Sequence, residues 1–220
     1  MTQKLWTEVD EYLNAQLIGV DPILEDARRA SSAAGLPDIA VAPNQGKLLY
    51  LLARIHGAKK ILEIGALGGY STIWLARALP PGGRLIPLEA DPKHAEVARA
   101  NIARAGFANQ VELRLGKAID TLPALEGEAP FDFVFIDADK PSTPDYFAWS
   151  LRLSRPGTVI IVDNVIREGG IVETHSTDGS NQGVRRLHEM LAAEARVTAT
   201  SIQTVGSKGH DGFTLALVDR

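Results

Sequence analysis

Residues 60–77, KILEIGALGGYSTIWLAR, decide the fold predicted for this chain. A short apolar run, 61–64, ends at Gly65, and apolar residues recur at helical spacing after the Gly68 and Gly69 pair. This pattern predicts a strand, a tight turn and a helix. Glycines in such a turn let the backbone approach a ligand at the carboxyl end of the strand, where open α/β sheets bind small molecules.

The spacing of the glycines and the next strand indicate which ligand is bound. The spacing is G-x-x-G-G, whereas the dinucleotide fingerprint G-x-G-x-x-G requires a glycine at the position of Leu67. The next strand-like run, 84–88, is followed by Glu89, and a carboxylate at that place suits the hydroxyls of a ribose. An adenosine group bound without a phosphate-binding turn points to S-adenosylmethionine. The alternative is a glycine-rich turn that only connects a strand to a helix.

The composition excludes several classes of function. The chain has 220 residues, of which 45% are hydrophobic and 23% charged, as in an ordinary globular α/β protein. The net charge is -4 and the basic residues are scattered, which argues against a nucleic-acid partner. No cysteine is present, so disulfides, thiolate zinc sites and cysteine nucleophiles are excluded. Without a secretion signal or a long apolar run, the sequence predicts a cytoplasmic protein with no membrane partner.

The first 56 residues are predicted to form helices. The predicted helices cover 8–17, 22–35 with Asp21 as N-cap, and 44–57 with Asn44 as N-cap. They are expected either to cover the ligand or to make an interface, and the alternative is that they pack only against the core. We predict a single domain over 1–220, with a helical cap at 1–56 and a cofactor-binding α/β core at 60–220.

From residue 60 onward, strands and helices alternate regularly. Five strands that alternate with helices imply a doubly wound, Rossmann-like parallel sheet. Two later runs predict an antiparallel hairpin, so the predicted sheet has seven mostly parallel strands. Pro87 lies inside the second strand and is expected to remove one hydrogen bond there. The predicted strands are 61–64, 84–89, 111–115, 131–136, 157–162, 197–202 and 213–218, with no clear element at 165–182 and a helix at 183–193.

Two of the predicted strands are followed by polar residues that suit a metal. Asp137 follows the fourth strand, and Asp163 and Asn164 follow the fifth, so all three are expected at one edge of the sheet. Three oxygen donors suit Mg²⁺, with Mn²⁺ or Ca²⁺ as possible substitutes. The alternative for each aspartate is an N-cap or a turn. Lys140 is a candidate base, because nearby positive charge would disfavour its ammonium form, and the alternative is a surface lysine paired with Asp137 or Asp139.

Three segments together resemble a known family. ILEIGALGGYS (61–71), FDFVFIDADK (131–140) and VDNV (162–165), with Glu89 after the second strand, resemble the cation-dependent O-methyltransferases, the family of catechol and caffeoyl-CoA O-methyltransferases and their bacterial relatives. The resemblance extends from about Val41 to the C-terminus. It implies methyl transfer from S-adenosylmethionine to a vicinal diol of a small aromatic, such as a caffeoyl or flavonoid acceptor, by a homodimer.

The resemblance also implies roles for individual residues. The implied reaction is direct displacement, in which Lys140 takes a proton from an acceptor hydroxyl and the oxygen attacks the sulfonium methyl. The segments 141–144 and 165–182 do not match, so the acceptor itself is not predicted. The implied cofactor contacts are Val41, Glu63, Gly65, Ser71, Glu89, Ala118 and Asp137, the metal ligands are Asp137, Asp163 and Asn164, and the catalytic residues are Lys140 and Asp137.

Other functions are weighed against this interpretation. A Rossmann oxidoreductase is disfavoured by the missing third glycine, and an RNA or protein methyltransferase by the negative net charge. A protein that only binds S-adenosylmethionine would need neither Lys140 nor the metal ligands. Methylation of another kind of small molecule stays open. The five histidines lack metal-ligand spacing and are predicted to be surface or loop residues, with His175 as a possible acceptor contact.

Overall fold

The computed structural model describes residues 2–220, whose strands form one seven-stranded sheet. The order is β3-β2-β1-β4-β5-β7-β6, in which β7 is antiparallel to both of its neighbours and the other pairs are parallel. The predicted doubly wound sheet with a C-terminal hairpin is confirmed. The strands are β1 (Lys60–Ile64), β2 (Arg84–Glu89), β3 (Arg114–Leu115), β4 (Phe131–Ile136), β5 (Ser154–Asp163), β6 (Val197–Gly206) and β7 (Gly209–Val218).

Helices cover both faces of the sheet. Helices α2, α3 and α4 pack on one face, and α6, α7 and α8 pack on the other. None of the helices within 2–220 is both long and apolar enough to cross a membrane. The helices are α1 (Gln3–Leu17), α2 (Pro22–Ala33), α3 (Pro43–His56), α4 (Tyr70–Ala78), α5 (Pro92–Arg104), α6 (Ala118–Thr121), α7 (Thr143–Arg152) and α8 (Gly179–Ala193).

The central strands are apolar on both faces because both faces are covered. In β1, Leu62 and Ile64 contribute to the core under α7 and α8, whereas Ile61 contributes to the core under α3 and α4. All six residues of β4 are buried, as expected of a parallel strand between two helical layers. Each fully buried aliphatic or aromatic side chain stabilises the fold by roughly 1.5–3 kcal/mol. This core holds the strand ends, and the polar residues on them, in fixed positions.

Pro87 explains why the third strand is shorter than predicted. Leu85 of β2 donates its N–H to Gln110 O at 2.9 Å, on the β3 side of the strand. Alternate residues of a strand face the same neighbour, so the nitrogen of Pro87 also faces β3 and has no hydrogen to donate. Val111 accordingly forms only an isolated bridge with Leu85, and regular pairing resumes at Arg114–Leu115.

The start of the third helix differs from the prediction. Helix α3 begins at Pro43, with Ala42 as its N-cap in place of Asn44. Asn44 instead donates from Nδ2 to Asp10 Oδ1 at 2.9 Å, which joins α3 to α1. A contact between residues so far apart in the sequence leaves no local pattern.

The C-terminal third contains more regular structure than predicted. Arg167–Val172 forms a kinked 3₁₀ turn, in which Glu168 and Gly169 depart from helical geometry. Helix α8 begins at Gly179, where Asp178 Oδ1 accepts from Ser180 N–H at 2.6 Å. The first residues of α8 are weak helix formers, so the composition indicated a loop. Strands β6 and β7 extend through most of the predicted loop 203–212. The sequence did not indicate this extension, because β6 is an exposed edge strand and lacks the apolar alternation by which strands are predicted.

Helix α1 carries an exposed apolar face, here called the α1 stripe. Tyr12 is 65% exposed and Leu17 is 64% exposed. The buried residue of α1 is Asp10, whose carboxylate also accepts from Ser207 N–H at 2.7 Å. Packing against the core therefore does not account for this face. The stripe consists of Leu5, Val9, Tyr12, Leu13 and Leu17.

Candidate functional site

A cleft of about 1200 Å³ lies at the carboxyl ends of β1, β2, β4 and β5. Helix α2 and the segment 36–41 form its outer wall, whereas α1 does not line it. Two predicted residues, Glu63 and Asp163, lie beneath the surface and are 0% and 3% exposed. The alternation of strands and helices thus brings the predicted residues to one edge of the sheet. Those that line the cleft are Val41, Gly65, Ser71, Glu89, Ala118, Asp137, Lys140 and Asn164.

The glycines of the first turn bring parts of the protein close together. Gly65 has a φ of 98°, and a Cβ atom there would lie 2.0 Å from Asp137 O. A Cβ atom on Gly68 would lie 2.1 Å from Ser31 Oγ of α2. These glycines were predicted to let the backbone approach a ligand, but the closest contacts that they permit are to protein atoms. Gly65 thereby sets the distance between the ends of β1 and β4.

Glu89 is anchored by backbone groups at the end of β2. Its Oε2 accepts from Leu67 N–H at 2.7 Å and from Ala66 N–H at 3.2 Å, while Oε1 accepts from Asp91 N–H at 2.9 Å. His94 of α5 lines the cleft, with Nδ1 3.6 Å from Glu89 Oε1. His94 is half-buried, and its position in the cleft was not predicted. The Asp91-Pro92 helix start, which puts His94 in the first turn of α5, could have indicated this.

Glu63 is a buried carboxyl beneath the cleft. Its two oxygens accept from Ser71 Oγ and Thr72 Oγ1, each at 2.5 Å, at the start of α4. Loss of hydration on burial raises the pKa of Glu63 to about 7, although the two hydroxyls oppose the shift. Ser71 lines the cleft and Glu63 does not, so Glu63 can act on a ligand by orienting Ser71.

Asp137 and Lys140 form an ion pair on the floor of the cleft. Lys140 Nζ lies 2.9 Å from Asp137 Oδ1, and the Lys140 side chain is 9% exposed. Lys140 begins a 3₁₀ turn, Lys140–Ser142, in which Asp139 accepts from Ser142 N–H at 3.2 Å. The alternative of an ordinary surface lysine is wrong, because Lys140 is buried at the floor. The pairing with Asp137 that this alternative included is nevertheless present.

Asp163 lies at the end of β5, next to this ion pair. Burial, followed by the negative charge of Asp137, raises the pKa of Asp163 to about 7. Its Oδ1 accepts from the backbone N–H of Asn164 at 2.8 Å, and Asn164 has a φ of 55°. Asp163 is therefore a buried acid that would be stabilised as a carboxylate by additional positive charge.

These residues fit a divalent cation. Asp137, Asp163 and Asn164 offer carboxylate and amide oxygens, which Mg²⁺ prefers. Among residues 2–220, no group of three or more His, Cys, Asp and Glu side chains could hold a metal. With two carboxylates and one amide, other positions on such a cation would be left to water or to a ligand.

Several residues of the cleft were not predicted from sequence. Tyr146 of α7 donates its hydroxyl to Asp139 Oδ1 at 2.5 Å, and burial and Asp139 together raise its pKa. Arg28 of α2 and Arg167 of the 3₁₀ turn also line the cleft. No local motif indicates these residues, because helix packing and a loop conformation place them there. His175, the histidine expected to reach an acceptor, is exposed and does not line the cleft.

Comparison with known proteins gives consistent matches over nearly the whole chain. The model of a family described as O-methyltransferase matches residues 15–218. A catechol O-methyltransferase of Niastella koreensis is 54% identical over 220 residues, which cover 99% of this chain and 100% of that protein.

Two solved structures share the fold closely. The O-methyltransferase of Bacillus cereus, in complex with SAH, has a TM-score of 0.98 and 55% identity, covering 99% of this chain and 100% of that one. The O-methyltransferase TomG of Streptomyces achromogenes, involved in tomaymycin synthesis and in complex with SAM, has a TM-score of 0.97 and 55% identity, covering 100% of both chains.

Proposed function

The chain belongs to the O-methyltransferase family, and on that premise we propose that it transfers the methyl group of S-adenosylmethionine to one hydroxyl of a catechol-type aromatic, with the help of a divalent cation. The observation that carries the proposal is a cluster at the ends of β4 and β5, in which Asp137, Lys140 and Asn164 line the cleft and Asp163 lies beneath it. Methyl transfer alone would require neither two neighbouring acids, one of them buried, nor a buried lysine. With a diol acceptor, the acids would hold the cation that binds the two hydroxyls, and the lysine would accept a hydroxyl proton.

The cofactor is proposed to lie along the ends of β1 and β2. Glu89 is well placed to accept hydrogen bonds from the ribose hydroxyls, since it is fixed by three backbone N–H groups. Ala118 and Val41 line the same side and would enclose the adenosine group, while Gly65 and Ser71 would contact the methionine part. Glu63 supports Ser71 from below.

A divalent cation is proposed to bind at Asp137, Asp163 and Asn164. When bound, such a cation would lower the pKa of an acceptor hydroxyl and hold the two neighbouring hydroxyls in place. The contribution of the chain is to supply oxygen donors on two adjacent strand ends that the core keeps rigid.

Lys140 is proposed to be the general base. Its Nζ is held at the floor by Asp137, and as a neutral amine it would receive the proton of an acceptor hydroxyl. The acceptor oxygen then attacks the methyl carbon while the bond from that carbon to sulfur breaks. A cation and an anion become neutral products, so the alignment of the two reactants should supply much of the rate enhancement.

A homodimer is also proposed, formed through the α1 stripe. Monomeric proteins rarely expose large contiguous apolar patches, and the stripe lies outside the cleft. Burial of the stripe against a second copy would remove this apolar surface from water.

The first test is methyl transfer from labelled S-adenosylmethionine to caffeate, with Mg²⁺ and with excess chelator. We expect transfer in the presence of the metal and its loss with the chelator. Asp163→Asn should lower kcat/KM by roughly 100-fold or more, because the loss of a supporting residue at a metal site already costs 10–100-fold. The matched control is Asp145→Asn, at an exposed aspartate of α7, which should stay close to wild type. Full activity with the chelator would contradict the proposal.

A further inference from the structure

Arg167 lines the cleft beyond the end of β5. It follows Asn164 by three residues and begins the 3₁₀ turn beyond β5. The proposed cofactor contacts lie mainly on the side of β1 and β2. Arg167 therefore lies on the side of the cleft that is left to the acceptor.

The backbone holds Arg167 in an unusual conformation. Arg167 and Glu168 each have a φ of 55°, in the left-handed region that few residues other than glycine adopt. Asp211 of β7 fixes this conformation, because its Oδ1 accepts from the N–H of Ile166 at 3.0 Å and of Arg167 at 3.1 Å. Strained conformations that the surrounding structure maintains are common at binding sites. The hydrogen bonds to Asp211 thus fix the backbone position from which the Arg167 side chain extends.

The charge of Arg167 is not neutralised within the described chain. No carboxylate oxygen of residues 2–220 lies within 4.0 Å of its guanidinium nitrogens, and its Nε is buried without a hydrogen-bond partner. The charge of Arg167 is only a minor cause of the lowered pKa of Asp178, behind the hydrogen bonds from Ser180 and Asn181. The two arginines of α2 that line the cleft are by contrast paired, Arg28 with Asp38 at 3.8 Å and Arg29 with Asp26.

We propose that Arg167 selects acceptors that carry a carboxylate on the aromatic ring, away from the two hydroxyls. The inference rests on the proposed function, since it assumes that a catechol-type ring occupies the cleft. A guanidinium group binds a carboxylate through two parallel hydrogen bonds, and this pairing is stronger where water is excluded. The acceptor class is therefore the catechol acids, such as dihydroxybenzoates.

The test compares 3,4-dihydroxybenzoate with 3,4-dihydroxybenzamide, which has the same ring without the charge. In Arg167→Gln, kcat/KM for the acid should fall roughly 10- to 100-fold, the worth of a hydrogen bond to a charged group, while the amide stays close to wild type. The change in the acid-to-amide ratio is the measured quantity, so intrinsic differences in reactivity cancel. Arg167→Lys should recover part of the preference. Arg152→Gln, at an exposed arginine of α7 paired with Glu126, is the matched control.

Several outcomes would overturn the inference. An equal fall for both acceptors would do so, as would an increase in the KM for S-adenosylmethionine, which would assign Arg167 to the carboxylate of the cofactor. A second measurement uses the wild type alone, on which benzoate should compete with the acceptor more strongly than benzamide does. Equal inhibition by the two compounds would also contradict the selection of a carboxylate. If the wild type binds S-adenosylmethionine but methylates neither acceptor with Mg²⁺ present, the proposed function fails and the inference fails with it.

Discussion

The carboxylates beside the cleft differ in the partners that stabilise them. Glu89 accepts from three backbone N–H groups and Asp137 from the Lys140 ammonium group. Glu63 has only two hydroxyl donors, and Asp163 accepts one backbone N–H. Burial raises the pKa of Glu63 and of Asp163. These two carboxyl groups therefore hold a proton to a higher pH than an ordinary carboxyl group does.

The raised pKa of Glu63 predicts a stability that falls as the pH rises. Between the ordinary pKa of 4.5 and the folded value of about 7, the folded chain binds a proton that the unfolded chain has lost. Stability is therefore greatest below the unfolded pKa and declines as the pH passes through the folded pKa. Relative to Glu63→Gln, the wild type should lose up to roughly 3 kcal/mol between pH 4.5 and pH 8.

Thermal denaturation of both proteins at several pH values between 5 and 8 measures this difference. The pH dependence of Asp163 is common to both chains and cancels. Glu96→Gln, at an exposed glutamate of α5, is the control and should follow the wild type. Parallel stability curves for the wild type and Glu63→Gln would show that the carboxyl ionises normally in the folded chain.

The positions of the acidic residues could be predicted from sequence, and those of the basic ones in the cleft only in part. Asp137 and Asp163 each follow a strand, and parallel strands end at the same edge, so their proximity follows from the alternation alone. Lys140 was identified by its spacing from Asp137. Arg167 depends on a left-handed turn tied to Asp211, which no local pattern indicates, whereas the Asp91-Pro92 helix start could have indicated His94.

At the scale of elements, helix α8 supports the turn that carries Lys140. A Cβ atom on Gly183 would lie 2.1 Å from Lys140 O, so the helix can approach the turn only because residue 183 is glycine. Arg186 of α8 also donates to Pro141 O at 3.1 Å. The start of α8 was predicted too late in the sequence, and the support for Lys140 was therefore not apparent.

Gly183→Ala should displace the Lys140 turn. We expect kcat to fall by about 10-fold or more, since small misplacements of catalytic groups are costly, whereas the KM for S-adenosylmethionine should change little. The overpacking should also reduce stability by about 1–3 kcal/mol. Gly179→Ala in the same helix is the matched control, because its Cβ atom would lie 3.6 Å from Pro141 Cγ, an ordinary contact. The prediction fails if the two variants have the same kcat.

At the scale of the whole molecule, the cleft and the α1 stripe occupy separate surfaces. The cleft is enclosed by α2 and the segment 36–41, whereas α1 is tied to α3 and to the β6–β7 turn through Asp10. The apolar spacing of α1 could be read from the sequence. The sequence could not show whether the apolar face of α1 points toward the core or toward solvent, because its orientation depends on the burial of Asp10.

The proposed dimer can be tested at the stripe. The wild type should have a solution mass near twice 23.7 kDa, measured by light scattering after gel filtration. A double variant, Tyr12→Glu with Leu17→Glu, should shift the mass toward the monomer, because two charges would be buried in an apolar contact. Ala15→Glu adds a charge to an exposed position of α1 outside the stripe and should leave the mass unchanged. A monomeric wild type would refute the dimer.

The proline in β2 has a further consequence for how the sheet ends. By shortening β3 to two residues, Pro87 leaves one border of the sheet without a continuous row of free backbone donors and acceptors. The opposite border is β6, whose ten residues pair with β7 on one side. Any strand that joins this sheet from outside must therefore add to β6, so growth of the sheet into a larger assembly is one-sided.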